Sequence, residues 1–84
     1  MKSIVVTGAS SGIGRKISQK LVAGGYRVFG SVRKPRDAKA VAAELGENFI
    51  PLTFDVTDRK AVNAAAAQVE EVLKGEKLAG LINN

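Results

Sequence analysis

An eight-residue stretch near the N-terminus, residues 7–14, constrains the fold of this chain more than any other part of it. It reads Thr-Gly-Ala-Ser-Ser-Gly-Ile-Gly and follows a continuous β-branched run at residues 4–6. Apolar residues then recur every four positions, at Ile13, Ile17 and Leu21. A continuous apolar run is typical of a strand covered on both faces, and the four-residue spacing is typical of a helix with one apolar face. The sequence therefore predicts a strand, a glycine turn and a helix.

The predicted turn suits an anion. Glycine can adopt positive φ and lets a ligand approach the backbone, and Ser10 and Ser11 lie where a helix N-cap is expected. The start of the helix presents unpaired N–H groups and the positive end of its dipole, which fits the diphosphate bridge of a dinucleotide. The stretch lacks the Gly-Lys-Ser/Thr ending of a P-loop, which disfavours ATP chemistry. The alternative is that the glycines only close a tight turn.

Three motifs of the chain resemble the short-chain dehydrogenase/reductase family. Residues 7–14 match its cofactor motif Thr-Gly-x-x-x-Gly-x-Gly without exception, although this spacing differs from the Gly-x-Gly-x-x-Gly of the general Rossmann fingerprint. Asp55-Val56 follows an apolar strand, as in the family's adenine-contacting Asp-Val, and residues 81–84 resemble the start of its Asn-Asn-Ala-Gly segment. The motifs occur in the family's order and spacing, so the resemblance covers the whole chain.

The remainder of the chain alternates predicted strands and helices. Strands are expected at residues 26–32, 48–54 and 78–82, and helices at 35–45 and 59–74. This alternation predicts an α/β fold with a parallel sheet and right-handed crossovers, in one domain over residues 1–84. Pro51 cannot donate to a strand ladder, which places the third strand at a sheet edge. The resemblance implies a Rossmann-type doubly wound sheet, with four strands in the order 3-2-1-4, three helices and an incomplete fold.

The end of the second strand favours one cofactor. NAD-binding sheets carry an acidic residue there, whereas this chain has Val32 followed by Arg33 and Lys34. Two cations suit a 2′-phosphate, because arginine binds phosphate through two parallel hydrogen bonds. The resemblance therefore implies NADP, with NAD less favoured and Ser11 as a further contact. The alternative is that Arg33 and Lys34 form a solvated loop.

The resemblance implies a cofactor site made of residues from four places in the chain. Asp55 is expected to accept the amine of adenine, and the alternative is a turn or capping aspartate, a role for which Asp58 competes. Asn84 is expected to lie against the cofactor's ribose. The predicted cofactor-binding residues are Gly8, Ala9, Ser10, Ser11, Gly12, Ile13, Gly14, Arg33, Lys34, Asp55, Val56 and Asn84.

No catalytic residue is predicted within these 84 residues. The family uses a Ser, a Tyr and a Lys four residues after the Tyr, but Tyr26 is the single tyrosine and Gly30 stands four positions on. We therefore expect the NADP(H)-binding part of a longer reductase that interconverts an alcohol and a carbonyl by hydride transfer, inactive by itself. The C-terminal remainder, as a second chain or a further segment, is expected to dock along the fourth strand, in a parent that is a homo-oligomer. The alternative is a non-enzymatic dinucleotide-binding or interaction module.

Composition and charge disfavour several other functions. The chain has neither Cys nor His, so no disulfide and no Cys- or His-based metal site is expected. Residues 1–36 contain eight Lys or Arg and no acid, but the absence of interleaved aromatics and of a recognised motif disfavours nucleic-acid binding. The N-terminus has no leader-like apolar block and the longest apolar runs are about four residues, which predicts a cytoplasmic protein without membrane contact.

Overall fold

A computed structural model describes residues 1–55 and 57–83. Strands and helices alternate along the chain, as predicted. The elements are β1 (Ser3–Val6), α1 (Gly12–Ala23), β2 (Arg27–Val32), α2 (Pro35–Leu45), β3 (Phe49–Thr53), α3 (Arg59–Leu73) and β4 (Gly80–Ile82). The strands predicted at 26–32, 48–54 and 78–82 and the helix predicted at 59–74 are each one or two residues shorter in the structure. Helix α3 ends before Lys74 because that residue adopts a left-handed φ of 50°, a conformation that a regular helix does not continue.

The four strands form one parallel sheet in the order β3-β2-β1-β4. This confirms the order that the family resemblance implies. Strand β3 lies at one edge, where Pro51 is registered opposite Gly30 of β2. An edge position tolerates Pro51, because proline has no N–H to donate to a further strand.

The helices cover both faces of the sheet, so the sheet is doubly wound. On one face, α1 and α2 pack over a cluster that includes Val6, Val28 and Val41. On the other, α3 packs over a second cluster that includes Phe29 and Leu52. Val28 and Phe29 are neighbours in β2, and both are fully buried because successive side chains of a strand point to opposite faces. Strand β2 is therefore the centre of the core.

The structure corrects one position of the predicted apolar stripe of α1. Ile17 and Leu21 pack against the first cluster, but Ile13 is 70% exposed. The positions of α1 that are fully buried are Gly14 and Ser18, and the Ser18 hydroxyl donates to the Gly14 carbonyl at 2.9 Å. The first turn of α1 therefore presents an apolar side chain to solvent, next to the glycine turn.

None of the helices within residues 1–55 and 57–83 is long and apolar enough to cross a membrane. Over the same residues, no three His, Cys, Asp or Glu side chains are grouped so that they could hold a metal ion.

Candidate functional site

The turn between β1 and α1 depends on glycine for its backbone conformation. Gly8 and Gly12 have φ values of 64° and 58°, in the left-handed region that other residues rarely adopt. A Cβ atom at Gly12 would have nothing within 4 Å, so conformation, and not space, requires glycine at this position. The sequence prediction of a glycine turn is confirmed, and the turn leads directly into the N-terminus of α1.

Strand β2 holds this turn from one side. The Gly8 N–H donates to the Ser31 hydroxyl at 3.0 Å, and the Ala9 N–H donates to the Ser31 carbonyl at 2.8 Å. A Cβ atom built on Gly30 would lie 2.8 Å from Cβ of Ala9 and would also meet the ring of Phe49. The missing side chain of Gly30 therefore leaves the space in which Ala9 is fully buried.

Strand β4 holds the turn from the other side. The Thr7 N–H donates to the Ile82 carbonyl at 3.0 Å, and the Thr7 hydroxyl donates to Oδ1 of Asn83 at 3.2 Å. The turn is thus held between the carboxyl ends of β2 and β4. Ligand sites of open α/β sheets occur at this end of the strands.

A cleft of about 480 Å³ opens at the carboxyl ends of the strands. Its volume is within the range of small-molecule sites. Three predicted site residues line it, namely Gly8, Ser10 and Arg33. The structure adds lining residues that are not among the predicted cofactor-binding residues: Thr7, Ser31, Val32, Phe54 and Asn83.

Ser31 is the most informative of these additional residues, because it both lines the cleft and holds the turn. In the sequence the signal for Ser31 is a small hydroxyl side chain that follows the apolar residues Val28 and Phe29 and precedes Val32. That signal becomes specific only when the register of the sheet places Ser31 beside the turn.

The remaining predicted residues of the turn lie around the cleft without lining it. Ser11 is the N-cap residue of α1, as expected, but its side chain makes no capping hydrogen bond with the described residues. Ala9 is buried beneath the turn, and the residues Gly12, Ile13 and Gly14 form the start of α1. Lys34 is exposed at the N-cap position of α2.

The two aspartates after β3 have different local roles. Oδ1 of Asp58 accepts a hydrogen bond from the Ala61 N–H at 3.2 Å, so Asp58 is the cap of α3. Oδ1 of Asp55 accepts hydrogen bonds from the N–H and the hydroxyl of Thr57, at 2.9 and 2.8 Å. These hydrogen bonds lower the pKa of the Asp55 carboxyl, and the bond from the backbone N–H has the larger effect. The structure thus gives Asp55 a turn contact, and its contact with adenine stays a prediction.

The cleft carries a positive charge at its rim. The side chain of Arg33 is 79% exposed, and its Nη2 lies 3.9 Å from Oδ2 of Asp55. The first turn of α1 contains no acidic residue, so nothing there opposes the positive end of the helix dipole. Val32 and Phe54 add an aliphatic and an aromatic side chain to the lining. The cleft therefore combines donors for an anion with apolar lining for a flat ring.

Two predicted contacts, Val56 and Asn84, lie outside the described residues. Their roles stay predictions.

Comparison with known proteins gives concordant results. A family model described as short chain dehydrogenase matches residues 2–84. The chain is 45% identical over 84 residues to an NADPH-dependent 3-dehydrocapnine reductase of Ornithobacterium rhinotracheale, covering 100% of this chain and 30% of that protein. It is 35% identical over 82 residues to a serine 3-dehydrogenase of Agrobacterium fabrum, covering 98% of this chain and 32% of that protein.

A solved structure shows the same arrangement of strands and helices. The 3-ketoacyl-(acyl-carrier-protein) reductase of Brucella melitensis, complexed with NADH, superposes with a TM-score of 0.85 at 28% sequence identity. The superposition covers 95% of this chain and 32% of that one. The chain thus spans about a third of the length of these three relatives.

Proposed function

The chain belongs to the short-chain dehydrogenase family, and from this premise we propose that its 84 residues form the NADP(H)-binding part of a longer oxidoreductase. The reaction proposed for the whole protein is the interconversion of an alcohol and a carbonyl. When bound, the nicotinamide cofactor supplies or accepts the hydride, and the residues of this chain bind and orient it. The observation that carries the proposal is the glycine turn at the N-terminus of α1, with the Arg33 guanidinium at the rim of the same cleft.

Each part of the cofactor has a proposed partner in this cleft. The turn lets the diphosphate approach the backbone, and the first residues of α1 bind it, because the N–H groups at a helix N-terminus and the helix dipole favour an anion there. Arg33 and Lys34 bind the 2′-phosphate, Asp55 and Val56 contact the adenine, and Asn84 contacts a ribose. The residues proposed for the diphosphate are Gly8, Ala9, Ser10, Ser11, Gly12, Ile13 and Gly14.

Preference for NADP(H) over NAD(H) is proposed from the end of β2. Position 32 is a valine, so it offers no carboxylate to the ribose hydroxyls, and Arg33 follows it with an exposed guanidinium. A relative whose name states NADPH dependence supports the proposal. The relative from Brucella was solved with NADH, so NAD(H) stays the less favoured cofactor of the proposal.

The proposed remainder of the protein has a surface on which to dock. Among the described strands, β4 pairs with β1 alone, which leaves its other edge open. An apolar groove of about 480 Å³ lies between α3 and the sheet, and Leu81 of β4, which is 65% exposed, lines it. We propose that the C-terminal remainder of the reductase covers this edge and groove and carries the catalytic Ser, Tyr and Lys. The matched relatives are named as reductases and dehydrogenases, and none of these names supports a non-enzymatic module.

Calorimetric titration of the chain with NADPH and NADH tests the proposal. We expect Arg33→Asp to weaken NADPH binding by roughly 10- to 100-fold, the range of one charge-assisted hydrogen bond, and to change NADH binding far less. Arg36→Asp is the matched control, since Arg36 is an exposed cation three residues further on in α2. Equal losses for the two nucleotides in Arg33→Asp would refute the 2′-phosphate assignment. Binding of neither nucleotide by the wild-type chain would refute the proposal for these 84 residues.

A further inference from the structure

Ser31 makes two hydrogen bonds to consecutive amides of the glycine turn. Its carbonyl accepts from the Ala9 N–H at 2.8 Å, and its hydroxyl accepts from the Gly8 N–H at 3.0 Å. Any residue at position 31 offers the carbonyl, but only a hydroxyl or another polar side chain offers the second acceptor. The residue is 6% exposed and lines the cleft.

We propose that Ser31 is a positioning residue for the phosphate-binding turn, acting through the Gly8 N–H. Gly8 has a φ of 64°, and a glycine has many conformations of similar energy. The Ser31 hydroxyl selects one of them before a ligand arrives, so less conformational entropy is lost when the turn closes on a phosphate. This inference rests on the proposed function for its effect on affinity, but not for its effect on the turn.

The register of the sheet explains why position 31 can do this. Val6 lies opposite Gly30 in the β1–β2 pair, so Ser31 comes beside the point where β1 ends and the turn begins. Gly30 has no side chain, and Ala9 occupies the adjacent space. The two residues act together: Gly30 allows the turn to approach β2, and Ser31 holds it there.

The direct test is Ser31→Ala, which removes the hydroxyl and leaves the carbonyl bond to Ala9. Ser3→Ala is the matched control, because Ser3 is a strand serine that is 1% exposed and whose hydroxyl has no partner among the described residues. We expect Ser31→Ala to raise the dissociation constants of NADPH and NADH by the same factor, roughly three- to tenfold, as for one buried hydrogen bond. Ser3→Ala is expected to bind both as the wild type does.

A second ligand separates positioning from general destabilisation. The nucleotide 2′-AMP carries the 2′-phosphate but no diphosphate, so loosening the turn should leave its binding nearly unchanged in Ser31→Ala. An equal loss for 2′-AMP and NADPH would overturn the proposal, as would unchanged binding of all three nucleotides. If Ser31→Ala does not fold, Ser31→Thr and Ser31→Val replace it, since they have nearly the same shape and differ in the hydroxyl. Tighter NADPH binding by the Thr variant then supports the proposal, and equal binding overturns it.

Amide hydrogen exchange in the ligand-free chain keeps this inference separate from the proposed function. In Ser31→Ala the Gly8 amide should exchange faster, while the Ala9 amide, whose acceptor is the retained carbonyl, should not. This pattern supports the positioning role even if the wild-type chain binds neither nucleotide, in which case only the proposed function fails. Unchanged exchange at Gly8 overturns the positioning role whatever the nucleotides do.

Discussion

Gly30 of β2 is a position at which the structure predicts a large effect of a single methyl group. A Cβ atom there would meet the ring of Phe49 and lie 2.8 Å from Cβ of Ala9. Both neighbours are buried, Phe49 at 3% exposure and Ala9 completely. Neither can move toward solvent without opening the core, so we expect Gly30→Ala to destabilise the fold.

The magnitude follows from two opposing terms. Overpacking a well-packed core costs typically about 1–3 kcal/mol. Replacing glycine by alanine stabilises the folded state by about 0.4–1 kcal/mol, because the unfolded chain then has fewer conformations to lose on folding. The expected net loss is about 1–2 kcal/mol, which for a domain of this size corresponds to a fall of roughly 4–16 °C in melting temperature.

The assay is urea denaturation followed by far-ultraviolet circular dichroism, with Gly80→Ala as the matched control. Gly80 is also a strand glycine, in β4, but a Cβ atom there has nothing within 4 Å. Gly80→Ala should therefore leave the free energy of unfolding unchanged or raise it slightly. If Gly30→Ala is as stable as Gly80→Ala, the packing argument is wrong.

A double-mutant cycle identifies the neighbour responsible. Phe49→Leu removes ring atoms that the new Cβ meets, so Gly30→Ala should cost less in the Phe49→Leu background than in the wild type. Contacting residues usually show coupling energies of about 0.5–3 kcal/mol. Additive effects of the two substitutions would mean that Phe49 is not what opposes the methyl group.

Two further predictions concern helix ends and acid stability. Asp58→Ala removes the cap of α3 and should lower the free energy of unfolding by about 1 kcal/mol, whereas Asp58→Asn keeps an acceptor and should lose much less; equal urea midpoints for the wild type and the Ala variant would contradict this. Glu44 of α2 accepts hydrogen bonds from Arg15 and Gln19 of α1, which lower the pKa of its carboxyl. A lowered pKa means stabilisation that is present above the ordinary glutamate value of about 4.3 and is lost as the pH falls through the lower folded-state value. The stability advantage of the wild type over Glu44→Gln, measured by urea midpoints, should therefore shrink from pH 7 to pH 3; a constant difference would show that the ionised pair does not stabilise the fold.

The sequence alone determined the order and type of the elements. Strand and helix periodicities, the prolines at the start of α2 and in β3, and the glycines between elements act over a few residues. They could therefore be interpreted without knowing the fold. The same applies to the glycine turn and to the edge position of β3, which depend on the backbone chemistry of single residues. The strand order came from the resemblance to a known family, because crossover direction and neighbour choice are not encoded locally.

Only the tertiary structure decided which side chains meet in the cleft. Ile13 fits the apolar stripe of α1 but is 70% exposed, whereas Gly14 and Ser18 of the same helix are buried against the rest of the fold. Ser31 lies 23 positions from Gly8, and their hydrogen bond exists because β1 and β2 pair in one register. Contacts of this kind depend on how separate elements pack, so local sequence patterns do not specify them.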